Sequence, residues 1–482
     1  MQGFAPSDEP SRLTELPAPV MTPAVVLGSG LGALGALRLL SRAGVPVYSL
    51  SAHPSCESSS HWFRPMPGVR ETLADGAPLA RLLEASSLER GVLVPCSDSL
   101  LRAVCELPPA LAARFSSSTA SRETVVQLTS KAKFAALLGA LNIPRPRTLI
   151  SGDSSDLERF TNGQFSDLFL KPVDSAGFMR RYGVKGWRVR DLAHARAQLA
   201  RARAEGHPVV VQECVPGPAS NHFLIDGFAR ANGVVHALFA RRRLRMCPPE
   251  FGDSTHMISV PLAEVQPAVQ SLRAILAAIG YRGIFSAEFK LDARDGTFKI
   301  LEINARVWIF VEFAGRCGVD VCTMAYREAL GLPLGDVPAY RTGVRLVSPY
   351  TDLAAAHYAW SRGQLGTGAW LRSWIGAQQP LFNWTDPAPA LRDWCEISVG
   401  ALRHMLRRPA ARVSKPSVTR SVPEARCQAA AERFGGAHLV HPQRGVPDGQ
   451  VQAQRKLPLE DELDLGDRRS LRSLAKRVRG RY

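Results

Sequence analysis

Between Phe285 and Phe310 the chain reads FSAEFKLD, then ARDGT, then FKILEINARVWIF. Strand side chains alternate between faces with period two. Glu302, Asn304 and Arg306 therefore share one face, and Leu301, Ile303 and Ala305 share the other, which can pack on a core. In the upstream run Ser286, Glu288 and Lys290 share a face, opposed by Phe285, Ala287 and Phe289. Asp295-Gly296 marks the centre of a turn. A hairpin centred there sets Glu288 roughly opposite Glu302. Facing carboxylates repel across a ladder, and a cation between them relieves that repulsion. Oxygen ligands of this kind suit Mg²⁺, which keeps waters and favours substrate phosphates. Two solvated carboxylates on an exposed sheet face would carry the same pattern.

The rest of the chain bounds what such a hairpin can belong to. The 482 residues leave room for about two to four domains and a sizeable core. With 45% hydrophobic and 21% charged residues, the composition is that of a globular protein. No apolar run approaches the ~18 residues of a membrane span. The opening MQGFAPSDEPSRLTELPAP has acids and prolines where a signal peptide has an apolar core. Nine scattered cysteines without a C-x-x-C pair point to neither a zinc site nor a disulfide framework. A cytoplasmic location is the expectation. The net charge of +17 is uneven: from Ala401 to Tyr482, Lys and Arg outnumber Asp and Glu by 18 to 8. A solvated, disordered basic tail is expected there, and a weak contact with nucleic acid or another polyanion is the alternative.

Before the tail, strand and helix signals alternate. AVVLGSGLGALGALRLLSRAGVPVYSLS reads as strand, Gly-rich turn, helix and strand, and GVLVPCSDSLLRAV as strand, loop and helix. Both predict a parallel α/β domain. Gly28, Gly30 and Gly32 would let the turn pass close to a ligand. The spacing to Gly35 is not the dinucleotide fingerprint, and VPVYSLSA lacks a terminal ribose-binding acid. A nicotinamide oxidoreductase is therefore disfavoured, and a tight strand-to-helix turn is the plain alternative. TSKAKFAALLGALN predicts a helix over Thr129–Asn142. DLFLKPVDSAG then puts Lys171 at a strand end, before a basic loop through Gly177, Gly183 and Gly186. Glycines and cations together can wrap phosphates. PVVVQECVPGP predicts a strand ending at Glu213. ALFARRRLRMCPPEFG places Arg241, Arg243 and Arg245 on one strand face, either near a ligand or on a solvated edge.

The order of these elements resembles the ATP-grasp superfamily over roughly Pro23 to Leu332. The succession runs from a helix-opening lysine, through a strand-ending lysine, a Gly-containing loop, QECVPG and an Arg strand, to AEFK and LEINARVW. The likeness is to its carboxylate–amine ligases, such as D-aspartate ligases and the synthetase domains of carbamoyl-phosphate synthase. It implies an α/β chain, α+β in the ATP-grasp part. Its units would be a disordered N-terminus (1–21), a parallel α/β domain (22–128), a lid subdomain (129–208) and a catalytic subdomain with an antiparallel sheet (209–335). A helical extension (336–412) and a disordered basic tail (413–482) would follow.

The resemblance further implies that Lys131 and Lys171 hold ATP phosphates, and that the Ser175–Gly186 stretch, with Ser175, Gly177 and Lys185, covers them. Glu213 would meet the adenine amino group, with backbone at Cys214 and Val215 reading the ring edge. Arg241 or Arg243 would lie near the phosphates. Glu288, Glu302 and Asn304 would bind Mg²⁺, with Mn²⁺ as substitute, and Arg306 would contact the transferring phosphate or a substrate carboxylate. Three departures stand out: Ser130 precedes the lysine where an acid is common, Ser220 and Asn221 lie near a usual ribose-binding acid, and Ala305 replaces a common proline. The implied chemistry makes an acyl phosphate from a carboxylate and ATP, then an amide by attack of an amine. A thiol or hydroxyl acceptor, and a non-catalytic nucleotide- or polyanion-binding protein on the same fold, are the alternatives. Small-molecule acids and amines are the expected partners, without a membrane, and a homodimer is compatible.

Overall fold

The computed structural model describes residues 21–51, 55–71, 73, 78–150, 154–161, 168–173, 175–182, 184, 186–248 and 252–406. Lys185, Gly183, the first 20 residues and the expected basic tail lie outside them. The architecture is mixed α/β, with one parallel and two antiparallel sheets.

The first sheet contains β1 (Ala24–Leu27), β2 (Val47–Leu50), β3 (Gly91–Pro95) and β4 (Phe115–Ser116), all parallel, in the order β2-β1-β3-β4. All four residues of β1 are buried, as the unbroken apolar run of a parallel strand requires. The Gly30–Arg42 helix follows β1. Gly28 (φ +120°) and Gly30 (φ +82°) make the turn in backbone conformations that favour glycine. The later glycines serve packing. A Cβ on Gly35 would lie 2.8 Å from Val311 Cγ1, and one on Gly32 would lie 3.2 Å from the Trp308 carbonyl. The helix N-terminus is closed by the chain itself. Gly30 N–H donates to Glu57 Oε2 (2.8 Å) and Ser55 Oγ (2.9 Å), and Glu57 is fully buried. An internal carboxylate thus takes the place a dinucleotide phosphate would need.

The second sheet, antiparallel, has the order β5 (Thr148–Leu149), β8 (Val209–Glu213), β6 (Leu168–Pro172), β7 (Trp187–Arg188). β8 belongs here, so the lid sheet runs through to Glu213, beyond the 208 boundary read from the sequence. Ser175–Tyr182 is a helix and not an open loop. Phe178 is fully buried beside Tyr182 and Trp187, with ring centroids 4.5 and 4.7 Å away. That aromatic anchor fixes a helical turn over a segment whose glycine suggested a loop.

The third sheet has six antiparallel strands: β9 (His222–Ala229), β10 (Val235–Cys247), β11 (Asp253–Val260), β12 (Gly283–Leu291), β13 (Phe298–Asn304) and β14 (Arg345–Val347). Their order is β13-β12-β9-β10-β11-β14. One face carries Phe223, Ile225, Phe285, Ala287, Phe289, Ile303 and Ala305, packed with Leu272, Ile275 and Leu276 of the Gln266–Ala278 helix. The other face carries the charges. β10 lies inside the sheet, so its arginines are not on a solvated edge. The expected helical extension contains the Pro349–Trp360, Thr367–Trp374 and Ala388–Leu406 helices, but it also supplies β14. Cys247 is disulfide-bonded, and the other seven cysteines among the described residues are thiols.

Candidate active site

The hairpin sets the site. Glu288 of β12 pairs directly with Glu302 of β13, with a bulge immediately after Glu288. The Asp295-Gly296 turn is closed by Thr297 N–H donating to Asp295 Oδ1 (2.8 Å), with Gly296 at φ +71°. Register then follows from period two.

Glu288 is gripped on both oxygens. His222 Nδ1 lies 2.8 Å from Oε1, and Arg243 Nη2 donates to Oε2 at 3.1 Å. Burial would raise this carboxyl, but Arg243 and His222 outweigh it and hold Glu288 well below the usual range. Arg243 is itself aimed by Ser254 Oγ, which accepts from its Nε at 2.8 Å. Glu302 is more open. Asn304 Nδ2 donates to its Oε1 (3.3 Å), and Lys171 Nζ stands 3.8 Å from its Oε2. Lys171 reaches across from the lid sheet, as a strand-ending lysine should. Lys131 opens the Lys131–Ala140 helix, for which Ser130 is the N-cap, accepting from Lys133 N–H at 3.4 Å. The departure at Ser130 is thus a helix cap. Burial and then Lys171 lower the Lys131 ammonium, while Glu302 and Asp98 oppose them. Lys131 therefore lies within electrostatic reach of Lys171 and Glu302.

Arg306 sits at the far end of the group, donating through Nη2 to Asn304 Oδ1 (3.3 Å) and through Nε to Asp98 Oδ1 (2.8 Å). Two other expected site residues are engaged by protein partners. Arg241 forms a buried pair with Asp226, Nε to Oδ2 at 2.6 Å, on the same sheet face as Glu288. The Glu213 carboxylate braces the hinge. Its Oε2 accepts from Arg147 N–H (3.0 Å), and Arg294 and Lys299 stand by its Oε1, tying the lid sheet to the β12–β13 turn. Burial opposes but does not cancel these partners, so Glu213 stays below the ordinary carboxylate range. Cys214 and buried Val215 follow it along the hinge, where Pro216 O accepts from Ala293 N–H at 3.2 Å. Asn221 is also structural, its Nδ2 donating to Leu291 O at 2.9 Å. Ser175 and Gly177 lie in the first turn of the lid helix.

Sequence reading missed His222, Ser254 and Asp98. His222 shares a face with Asp226 by period two in NHFLID, a weak signal. Asp98 follows the C-terminal end of β3, the edge where parallel α/β sheets bind ligands, and that signal could have found it.

A charged sheet face bearing paired carboxylates, a lid sheet delivering a lysine to it, and a parallel N-terminal domain alongside define the ATP-grasp fold, as the resemblance implied. The chain is similar to a D-aspartate ligase of Enterococcus faecium (strain Aus0004), 22% identical over 243 residues, which are 47% of this chain and 56% of that protein. It thus spans little more than half the length of the curated relative it matches. No family model matches the chain. Among solved structures, it is similar to the biotin carboxylase domain of Hydrogenobacter thermophilus 2-oxoglutarate carboxylase, solved with MgADP, ADP and bicarbonate. The TM-score is 0.50 and the identity 16%, over 67% of this chain and 73% of that one. A biotin carboxylase β-γ-ATP complex from Campylobacter jejuni matches with TM-score 0.50 and 15% identity, over 67% of this chain and 74% of that one. Both likenesses are likenesses of fold.

Proposed function

We propose that the chain is an ATP-dependent ligase that activates a carboxylate as an acyl phosphate and joins it to an amine, releasing ADP and phosphate. The observation that carries this reading is the facing of Glu288 and Glu302 on one ladder, rimmed by Lys171, Arg243 and Arg306. Similarity to a protein named D-aspartate ligase, and to the fold of proteins solved with MgADP or with a β-γ-ATP, supports it.

The donor set fits Mg²⁺ or Mn²⁺. It is all oxygen: two carboxylates and the Asn304 amide. Among the described residues no three His, Cys, Asp or Glu side chains gather into a ready-made metal site. That suits a cation that keeps waters and shares one or two carboxylates with nucleotide phosphates. When bound, the metal would neutralise charge on the phosphates of ATP.

The chain's own residues do the rest. Lys171 and Lys131 hold phosphate oxygens as point charges. Arg243 holds Glu288 ionised and adds positive charge beside it. Arg306 offers its remaining Nη1 N–H and its positive charge to the transferring phosphoryl group or to a substrate carboxylate. Ser175 and Gly177 open a helix whose first backbone N–H groups lack helical partners and suit phosphate, and Lys185 follows in the same segment. The lid keeps water from the acyl phosphate. No protein nucleophile is needed: burial pushes the Cys96 thiol up to about 12, so it stays protonated beside Arg306.

The test is ADP release from the purified chain over a grid of pooled acids and amines with Mg²⁺. Release that requires one acid and one amine together is expected. A grid with no release in any well would overturn the reading.

A further inference from the structure

We propose that Asp98, from the N-terminal domain, is the positioning residue that orients Arg306 for the ligation reaction, a role that rests on the ligase reading above. Asp98 lies 208 residues before Arg306 and is the first residue of the Asp98–Cys105 helix, capped by Ser97. Its Oδ1 accepts from Arg306 Nε at 2.8 Å and its Oδ2 from Nη2 at 3.4 Å. The backbone joins the same two segments, with Val307 N–H donating to Pro95 O at 3.3 Å.

The remaining guanidinium contacts show what this orientation achieves. Nη2 also donates to Asn304 Oδ1 (3.3 Å), and Nη1 donates to Val307 O (3.1 Å). Arg306 has five N–H groups, and these contacts with described residues leave one on Nη1 for a further acceptor. Asp98 fixes which one it is. From Asp98 the chain of contacts runs through Arg306, Asn304 and Glu302 to Lys171. It links the units of all three sheets, so the N-terminal domain is coupled to the carboxylate pair and not only to a substrate. The Asp98 and Arg306 side chains are 42% and 20% exposed, so the pair is partly open to solvent. A planar fork held by a carboxylate on one edge presents its free N–H in one direction only.

Two measurements test this. In the free protein, the Arg306 Nε–H signal, assigned by its loss in Arg306→Lys, should exchange slowly with water. Asp98→Asn should speed that exchange at least about tenfold. In turnover, Asp98→Asn should lower kcat about tenfold or more, with KM for ATP and the melting temperature unchanged. The same substitution in an Arg306→Ala background should have no further effect, and Asp98→Glu should restore part of kcat. Equal exchange in wild type and Asp98→Asn, or equal losses in both backgrounds, would overturn the positioning role while leaving the ligase reading intact. A wild type that never releases ADP would instead overturn the ligase reading, and with it any part for Asp98 in ligation.

Discussion

Lys171 separates a phosphate-binding lysine from a surface one. Its ammonium stands 3.8 Å from Glu302, with the side chain only 17% exposed. Charge-assisted contacts to a polyanion are worth roughly 1.5–3 kcal/mol. Lys171→Ala should therefore weaken a non-hydrolysable ATP analogue by about one to two decades, at ~1.4 kcal/mol per decade. Lys171→Arg should recover only part of the loss, because a planar fork does not reproduce a compact ammonium. Isothermal titration with Mg²⁺ present checks both, and equal affinities for wild type and alanine variant would remove Lys171 from the site. A second residue sets acid sensitivity. His256 on β11 is buried, and neither ring nitrogen has a hydrogen-bond partner among the described residues. Burial first, then Arg245 and Arg345 against Asp352, hold it down to about 4 from an ordinary 6.5. Between those values the unfolded chain binds a proton that the folded chain does not. This contribution to stability is therefore present above about 6.5 and lost as pH falls towards 4. The melting temperature of His256→Leu should gain on wild type as pH drops from about 7 to about 5. A constant gap would contradict it.

At the scale of elements, the β12–β13 hairpin is legible in the sequence because both of its determinants are local. Asp-Gly sets the turn and period two sets the face, so the pairing of Glu288 with Glu302 follows from the residues alone. The partners of the β10 arginines do not. Nothing local tells Arg241 to take Asp226 or Arg243 to take Glu288, since both choices depend on strand order across the sheet. Glu213 is legible at its strand end, but its brace with Arg294 depends on a contact 81 residues away. Lid residues 175–182 read as a loop because their glycine is a local signal, while the tertiary burial of Phe178 is not. The Gly-rich first helix teaches the opposite: its turn glycines are recognisable locally, while Gly35 serves a helix contact with Val311. Gly35→Ala should cost about 1–3 kcal/mol by overpacking, read as a lower urea midpoint with an unchanged slope. Stability equal to wild type would show that the Gly30–Arg42 helix shifts freely against Val311.

At the scale of the whole molecule, the extension beyond Gly335, whose role the sequence does not disclose, fastens the domains together. Arg38 of the first helix is fully buried. It donates to Asp386 Oδ2 (2.8 Å), Glu312 Oε2 (2.9 Å) and the Leu381 carbonyl (2.9 Å), joining the N-terminal domain, the helix after β13 and the extension. Elsewhere in the extension, fully buried Asp352 accepts from Arg245, Thr255, Trp370 and Trp374. No described helix is long and apolar enough to cross a membrane. Alternating strand and helix signals are local and repeat along the chain, whereas these clasps join residues up to hundreds of positions apart. The carboxylate pair lies where Lys171 of the second sheet and Asp98, through Arg306 and Asn304, meet the third sheet, and the ligase reading requires that pair to bind a metal–nucleotide complex. The most direct measurement is titration of a non-hydrolysable ATP analogue into wild type and Glu302→Gln, each with and without Mg²⁺. Affinity in the wild type should rise at least about tenfold with Mg²⁺, and Glu302→Gln should lose most of that rise while melting at the wild-type temperature. An equal Mg²⁺ effect in both proteins, or none in the wild type, would contradict the assignment of Glu288 and Glu302 as the metal-binding pair.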